Sequence, residues 1–282
     1  MRRVVIIVIA VVAAGALAVG GLVVWSVMNR RPLPMSDQCT ATAGGDTTTV
    51  TPEQATNAAI IAGVSVQRGL VPRAASIALA TAYQESGIRN LEYGHSDSLG
   101  LFQQRPSQGW GTEKQIMDPW YSSGKFYQAL VKVKNWKTGD INDVAQKVQR
   151  SAYPDAYRKH EQNARTLASS LTGETPGSFT CTFRSIRSAD PAGLKDFLVK
   201  TFGKKVSAKS SGPGPSQTLT LAADTPAAAW SAAHTAVATA KQFGVATVTV
   251  GAYSWTYTPW SPTWQGTGPT DATHITITFS PA

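Results

Sequence analysis

The sequence predicts a mainly α domain and a smaller α+β C-terminal domain, preceded by one transmembrane helix. Three observations support this fold class. Residues 4–28 form an uncharged apolar run, residues 52–171 carry apolar residues at helical spacing, and the chain beyond Cys181 alternates short β-branched runs with an alanine-rich helix. A length of 282 residues and a hydrophobic content of 42% are sufficient for two domains with separate cores.

The apolar run from Val4 to Met28 has the length of a membrane anchor. At about 1.5 Å per residue it spans a bilayer core of roughly 30 Å. The alternative is a cleaved signal peptide, because Ala16-Leu17-Ala18 fits the small-residue pattern of a cleavage site. The run stays apolar past that point, and Arg30-Arg31 then closes it as a stop-transfer flank would. We therefore favour an uncleaved anchor over residues 1–28, followed by a linker over residues 29–51 that is rich in Thr, Gly, Ala and Pro.

Cys39 and Cys181 are the only cysteines, and they flank the helical region on its two sides. Two cysteines around one compact unit suggest a disulfide, which persists only in an oxidising compartment outside the cytoplasm. The alternative is two unrelated buried thiols, because spacing alone does not prove pairing. Together with the anchor, the disulfide predicts a single-pass protein of the cell membrane, with a cytoplasmic N-terminus and extracytoplasmic domains.

The helical region is predicted to form one domain over residues 52–172. Thr51 and Pro52 are a suitable N-cap and first position for its first helix. The expected helices cover residues 55–68, 72–87, about 122–134, 141–151 and 157–171. A connector over residues 173–181 follows, because the stretch from Gly173 to Pro176 interrupts the helical pattern.

Residues 182–282 are predicted to form the smaller α+β domain, with an accessory role that the sequence does not define. Helices are expected over residues 191–202 and 227–243, a linker near 204–215, and strands at 218–222, 246–250 and 275–279. Tyr253, Trp255 and Tyr257 alternate as the side chains of a strand do. They can stack on glycan, contact an envelope protein partner or pack in the core, and core packing is favoured.

The distribution of charge and of histidine excludes several classes of function. The formal net charge is +9, and the four arginines around the anchor account for 4 of the 26 basic residues, which leaves 22 basic against 17 acidic residues, or +5. Such a diffuse basic surface suits an anionic wall polymer or a membrane surface, and no nucleic-acid partner is predicted. The four histidines are scattered without ligand spacing, so no metal site and no cofactor are predicted.

Glu85 is the strongest candidate for chemistry, because it ends an apolar helical stretch. At helical spacing it shares a face with Ala78 and Ala82, so the helix that buries them carries the carboxyl group inward. Burial and the negative end of the helix dipole both raise the pKa of a carboxyl group, which favours the protonated state that a general acid needs. The alternative is a structural ion pair with Arg89 or Arg105.

Three motifs follow one another along the helical region. Glu85-Ser86-Gly87 closes a helix, Gly100-Leu101-Phe102-Gln103 begins fifteen residues after the glutamate, and Ala152-Tyr153 comes later. This ordered set resembles the lytic transglycosylase and goose-type lysozyme superfamily, whose members carry a Glu-Ser pair, a Gly-Leu-Met-Gln motif and an Ala-Tyr motif on a small α-rich fold. The resemblance covers about residues 52–171. Phe102 replaces the usual Met, and a proline follows Tyr153 where Asn is usual.

The resemblance implies a lysozyme-like domain in which Glu85 protonates the glycosidic oxygen between N-acetylmuramic acid and N-acetylglucosamine. Its partner is then the glycan strand of peptidoglycan. Gln103 and Tyr153 are implied to border the cleft, and Ser86 to support the catalytic group. Further candidates for substrate binding, without a clear counterpart in the family, are Gln104, Arg105 and Trp110.

Two reaction types are open at this point. A lytic transglycosylase needs one glutamate, which gives its proton to the leaving oxygen and then takes one from the muramyl 6-hydroxyl as a 1,6-anhydro ring closes. A lysozyme-type muramidase must activate water, for which Asp97 is the first candidate and Asp118 the second, although Asp118-Pro119 resembles a turn before a helix.

The predicted function is therefore a membrane-anchored enzyme that cleaves the β-1,4 bond of peptidoglycan, as a transglycosylase or alternatively as a muramidase. An alternative of another class is a non-catalytic scaffold that binds peptidoglycan within an envelope, secretion or conjugation complex. In that case residues 182–282 are the expected contact for a protein partner.

Overall fold

The structure, a computed structural model that describes residues 36–149, 155–213, 217–260 and 262–280, contains two antiparallel sheets with helices packed against them. The first sheet has three strands, in the order β2-β1-β3: β1 (Gln38–Ala43), β2 (Asp46–Val50) and β3 (Phe179–Thr182). A tight turn at Gly44-Gly45 joins β1 to β2, and both glycines have positive φ angles that a side chain would disfavour.

A disulfide joins Cys39 and Cys181, which confirms the predicted pairing. The two cysteines are direct partners in the antiparallel ladder of β1 and β3, and both are fully buried. The covalent bond therefore attaches the start of the described chain to the strand that follows the helical region.

Among the described residues between β2 and β3 there are six α-helices. They are α1 (Pro52–Gln67), α2 (Pro72–Ser86), α3 (Glu113–Ile116), α4 (Pro119–Leu130), α5 (Ile141–Gln149) and α6 (Glu161–Leu171). Their starts carry the expected caps: Thr51 and Gln54 form a capping box before α1, and Asp118 accepts the backbone N–H of Trp120 before α4. Helix α2 packs against α1, α5 and α6, so its residues from Ala74 to Ala82 are buried.

The second sheet has five strands in the order β4-β5-β8-β6-β7, all antiparallel. Its strands are β4 (Val206–Ser211), β5 (Thr218–Ala223), β6 (Val245–Val250), β7 (Tyr253–Thr256) and β8 (His274–Phe279). Helix α7 (Pro191–Phe202) precedes it, and α8 (Pro226–Ala238) with the single turn α9 (Ala240–Phe243) lies between β5 and β6. Every second residue of β8 is buried, which is the alternation expected of a sheet with one face on the core.

Helix α8 connects the second sheet with the helical region, because it packs against β6 and also against α1 and α6. Its eleven residues from Ala228 to Ala238 are all buried. Three side-chain hydrogen bonds outside α8 also join residues that follow Cys181 to the preceding part of the chain. They run from the indole N–H of Trp255 to the Thr180 hydroxyl at 3.0 Å, from that of Trp264 to the Phe179 carbonyl at 2.9 Å, and from that of Trp120 to the Thr201 hydroxyl at 3.0 Å. Residues 36–282 consequently form one compact unit.

The predicted fold class is wrong, and the reason lies in short strands made of polar residues. The structure contains 44% helix and 20% strand, with the three-stranded sheet wrapped against the region that was predicted to be mainly α. The supposed linker over residues 29–51 includes β1 and β2, and the supposed linker near 204–215 includes β4. Thr in β1 and β2 is a favourable strand residue, but its polarity, like that of Ser and Lys in β4, led to these short strands being interpreted as linkers.

The predicted membrane localisation requires a correction as well. No helix within the described ranges is long and apolar enough to cross a bilayer. The anchor assigned to residues 4–28 lies outside the described residues.

The aromatic residues of the second sheet mainly fill its core. Trp255 is fully buried, and Trp264 packs edge-on against Trp230 at a centroid distance of 5.1 Å. Trp260 is the exception, with 53% of its surface exposed. The strand aromatics therefore contribute to packing rather than forming an open binding face.

Candidate active site

Glu85 lies in the last turn of α2, and the candidate site is built around its carboxyl group. Gly87 caps the helix in the left-handed conformation, with φ 64°, and its N–H bonds the Tyr83 carbonyl. Two amides of α1 bind the chain just past the cap: Gln54 donates to the Gly87 carbonyl at 2.8 Å, and Asn57 donates to the Ile88 carbonyl at 2.9 Å. The last turn of α2, which carries Glu85, is thus fixed from outside the helix.

Glu85 is partly buried and has two hydrogen-bond donors. The Tyr157 hydroxyl donates to Glu85 Oε1 at 2.7 Å, and the side chain of Gln149 is the second donor. Burial raises the pKa of the Glu85 carboxyl above its ordinary value, while the bonds from Tyr157 and Gln149 act in the opposite direction. Because burial dominates, the group is suited to hold its proton at a higher pH than a free glutamate does.

A tight loop carries the Gly-Leu-Phe-Gln motif to the end of α2. Leu99 and Gln104 pair through two backbone hydrogen bonds of 3.0 Å, which closes the loop. The Ser86 hydroxyl donates to the Leu101 carbonyl at 2.7 Å, and the Gln149 amide donates to the Phe102 carbonyl at 2.7 Å. Gln149 therefore bridges the loop and Glu85, and Ser86 attaches the loop to the acid's own helix.

The two glutamines of this loop have different surroundings. Gln103 is half-buried in the left-handed region, with φ 47°, and its amide donates to the Tyr93 carbonyl at 3.2 Å. The side chain lies against Gly94, where an added Cβ would come within 1.9 Å of Gln103 Oε1. Gln104, in contrast, is 2% exposed and donates to the Ser122 carbonyl at 3.2 Å. The predicted substrate contact of Gln104 is therefore corrected to an internal one.

Asp97 was predicted to activate water, and Arg105 was predicted to bind substrate. In the structure the two form an ion pair with each other. Arg105 Nε lies 2.6 Å from Asp97 Oδ1, and the backbone N–H of Ser107 bonds Asp97 Oδ2 at 2.8 Å. The Ser107 N–H and the Arg105 guanidinium hold the pKa of the Asp97 carboxyl well below its usual range. A carboxylate so stabilised is a weak base, so this geometry disfavours Asp97 as the group that activates water.

Asp118, the second candidate for that role, caps α4 and pairs with Lys200 at 3.0 Å. Its use is structural, as the Asp-Pro pattern indicated. Within the described residues, the groups that shift the pKa of Glu85 include no second carboxylate. The site consequently offers one acid.

Trp110 and Gln149 line the same cavity, of about 780 Å³, beside α4 and α5. Trp110 is half-buried, and the cavity is large enough for sugar units rather than a single small ion. Glu85 itself is not among the residues that line this cavity, and Gln149, which bonds Glu85, is the residue that the two share.

Tyr153 lies outside the described residues, and the tyrosine that contacts Glu85 is Tyr157. The sequence contained a signal for it, since Ala156-Tyr157 repeats the Ala-Tyr pair four residues after Ala152-Tyr153. Tyr157 is fully buried, so its hydroxyl is held against the carboxylate by packing. Gln149, the other residue that the sequence analysis missed, belongs to no motif and follows only from the contact of α5 with α2.

No protein-family model matches this chain, and no curated protein has a matching sequence.

Proposed function

We propose that the protein cleaves the β-1,4 bond between N-acetylmuramic acid and N-acetylglucosamine in peptidoglycan, as a lytic transglycosylase with Glu85 as acid and then base. The observation that carries the proposal is the half-buried carboxyl group of Glu85, which has a raised pKa and donors from Tyr157 and Gln149. Gln149 also lines a cavity of sugar size. The order of the Glu-Ser, Gly-Leu-Phe-Gln and Ala-Tyr motifs supports the same proposal.

The mechanism uses one side chain twice. Glu85 gives its proton to the glycosidic oxygen as the bond from that oxygen to muramyl C1 breaks, and positive charge develops on the ring. The resulting carboxylate accepts the proton of the muramyl 6-hydroxyl while O6 bonds to C1. The product is a 1,6-anhydro end, and no water is consumed.

Tyr157 and Gln149 are positioning residues in this scheme. Both donate to the carboxylate, so both stabilise the charge that appears on Glu85 as its proton leaves. The engagement of Asp97 by Arg105 favours the transglycosylase over a muramidase, because a hydrolytic route needs a group free to activate water.

The Glu85→Gln variant tests the proposal. Purified sacculi are incubated with the protein, and the released fragments are identified by mass spectrometry. The wild-type protein is expected to release fragments with anhydro ends, and Glu85→Gln to release none while it still sediments with sacculi. Glu92→Gln makes the same charge change at an exposed loop position without a described side-chain partner, and should retain activity.

Three outcomes separate the alternatives. Reducing ends in place of anhydro ends would establish the muramidase. Equal lysis by Glu85→Gln and the wild-type protein would remove Glu85 from the mechanism. Binding to sacculi without cleavage by the wild-type protein would support the non-catalytic scaffold.

A further inference from the structure

The cavity that Trp110 and Gln149 line is bordered by lysines that no described motif explains. Lys125 belongs to α4, Lys132 follows the end of that helix, and Lys147 belongs to α5. All three line the same cavity as Trp110 and Gln149. We call these three lysines the groove lysines.

The groove lysines lack acidic partners in the part of the chain that the structure describes. Lys200, Lys205 and Lys241 each pair with an aspartate, whereas no carboxylate lies within 4.0 Å of a groove lysine. Lys125 Nζ lies over the ring of Tyr121, 5.5 Å from its centroid. Three positive charges around one concave surface produce a local field that attracts anions.

The position of the groove relative to Glu85 indicates which anion the groove lysines bind. Gln149 contributes to the cavity wall and also bonds Glu85, so the groove lies one side chain away from the acid that acts at the scissile bond. In peptidoglycan the peptide stem hangs from the muramyl unit at that bond and bears free carboxylates. Lysine ammonium groups, on flexible stems, suit such carboxylates because they need no fixed bidentate geometry.

We propose that the groove lysines bind the carboxylates of the peptide stems, so that the preferred substrate is a glycan strand that carries peptides rather than a bare one. This inference rests on the proposed function. It assigns to the groove a selectivity that Glu85 and its two donors do not supply.

The test compares two soluble glycan preparations, both freed of phosphate-containing wall polymers. One keeps its peptide stems, and the other has been stripped of them with an amidase. The wild-type protein is expected to show a KM roughly tenfold lower for the peptide-bearing strands, as a few exposed ion pairs provide, and this preference should weaken at high salt. Lys125→Gln/Lys132→Gln/Lys147→Gln should lose the preference through KM, with kcat little changed.

A matched control removes three positive charges elsewhere. Lys195, Lys204 and Lys209 have no described carboxylate partner and lie outside the cavity, so Lys195→Gln/Lys204→Gln/Lys209→Gln should keep the tenfold preference. The proposal is overturned if the wild-type protein treats both preparations alike. It is overturned too if the groove variant keeps the preference, or if binding depends on added phosphate polymer rather than on peptides.

The same variants distinguish this inference from the proposed function. Binding of both glycan preparations is titrated with Glu85→Gln protein, with and without the groove substitutions. Preferential binding of peptide-bearing strands that vanishes with the groove lysines supports the inference even when no protein cleaves glycan. Cleavage without any peptide preference leaves the proposed function intact and ends the inference.

Discussion

The Tyr157→Phe variant probes the mechanism most directly, because it removes one oxygen from the site. That hydroxyl donates to Glu85 Oε1 at 2.7 Å, and Tyr157 is fully buried. Phenylalanine preserves the ring that packs there and removes the donor. The change therefore acts on the carboxylate of Glu85 and leaves the shape of the site intact.

The expected size follows from the length and charge of this bond. A short hydrogen bond to an ionised group contributes about 1.5–3 kcal/mol, and about 1.4 kcal/mol corresponds to a factor of ten in rate. Gln149 still donates to the same carboxylate, so the lower end of the range applies. We expect kcat to fall roughly tenfold.

The pH dependence has a definite sign. The Tyr157 bond lowers the pKa of Glu85, so its removal raises that pKa further. A general acid must be protonated, and activity therefore falls as pH rises through this pKa. In Tyr157→Phe the alkaline limb of the rate profile should move to higher pH while the plateau is lower.

The assay measures initial rates of anhydro-end release from sacculi over a range of pH. Tyr127→Phe is the control, since the Tyr127 hydroxyl donates to the Ile61 carbonyl at 2.8 Å and is equally buried, without a contact to Glu85. That control should lose stability but keep its pH profile. If the pH–rate profile of Tyr157→Phe has the same alkaline limb and the same plateau as that of the wild-type protein, the role given to this bond is refuted.

Three further predictions concern stability. The Cys39→Ala/Cys181→Ala variant loses a bond across a sequence separation of 142, for which the chain-entropy model gives about 5 kcal/mol as an upper value, and its urea midpoint should fall accordingly. Trp120→Phe removes the indole donor to Thr201, so its free energy of unfolding in the same titration should drop by about 1 kcal/mol. Burial lowers the pKa of His234 from 6.5 to about 4, so between these values the unfolded chain binds the proton and the folded chain does not. The free energy of unfolding should fall by at most roughly 3 kcal/mol as pH decreases through that interval, and His234→Gln should lack this part of the loss.

Each stability prediction has a result that contradicts it. An unchanged midpoint in the cysteine variant would mean that the disulfide contributes nothing beyond the ladder of β1 and β3. Trp120→Phe matching the wild-type protein would show that the Thr201 bond is exchanged for water at no cost. Parallel pH curves for His234→Gln and the wild-type protein would place the acid sensitivity at other groups.

Local chemistry explains why the helix of Glu85 was predictable. Its signals all lie within sixteen residues: Pro72 at the start, apolar residues at helical spacing, and Gly87 at the end. The structure has a helix over Pro72–Ser86. The disulfide was predictable for another reason, since only one pairing exists for two cysteines.

Contacts that depend on how the chain folds back on itself were not predictable. The choice between Tyr153 and Tyr157 needs the contact of the later segment with α2, which two identical Ala-Tyr pairs do not encode. The Asp97–Arg105 pair arises inside an irregular loop, where eight residues of separation indicate neither approach nor avoidance. The β1–β2 hairpin is short and polar, and its stability comes from β3, more than 120 residues later.

The hydrogen bonds that Trp255 and Trp264 make to β3 limit which parts of this chain recombination can exchange. A gene exchange with its break near residue 180 would leave the buried flank of α8 without α1 and α6, and would leave one cysteine without its mate. Recombination is thus expected to transfer residues 36–282 as a whole. A change of substrate is therefore expected to arise from point substitutions around Glu85 and the groove lysines rather than from the exchange of either half.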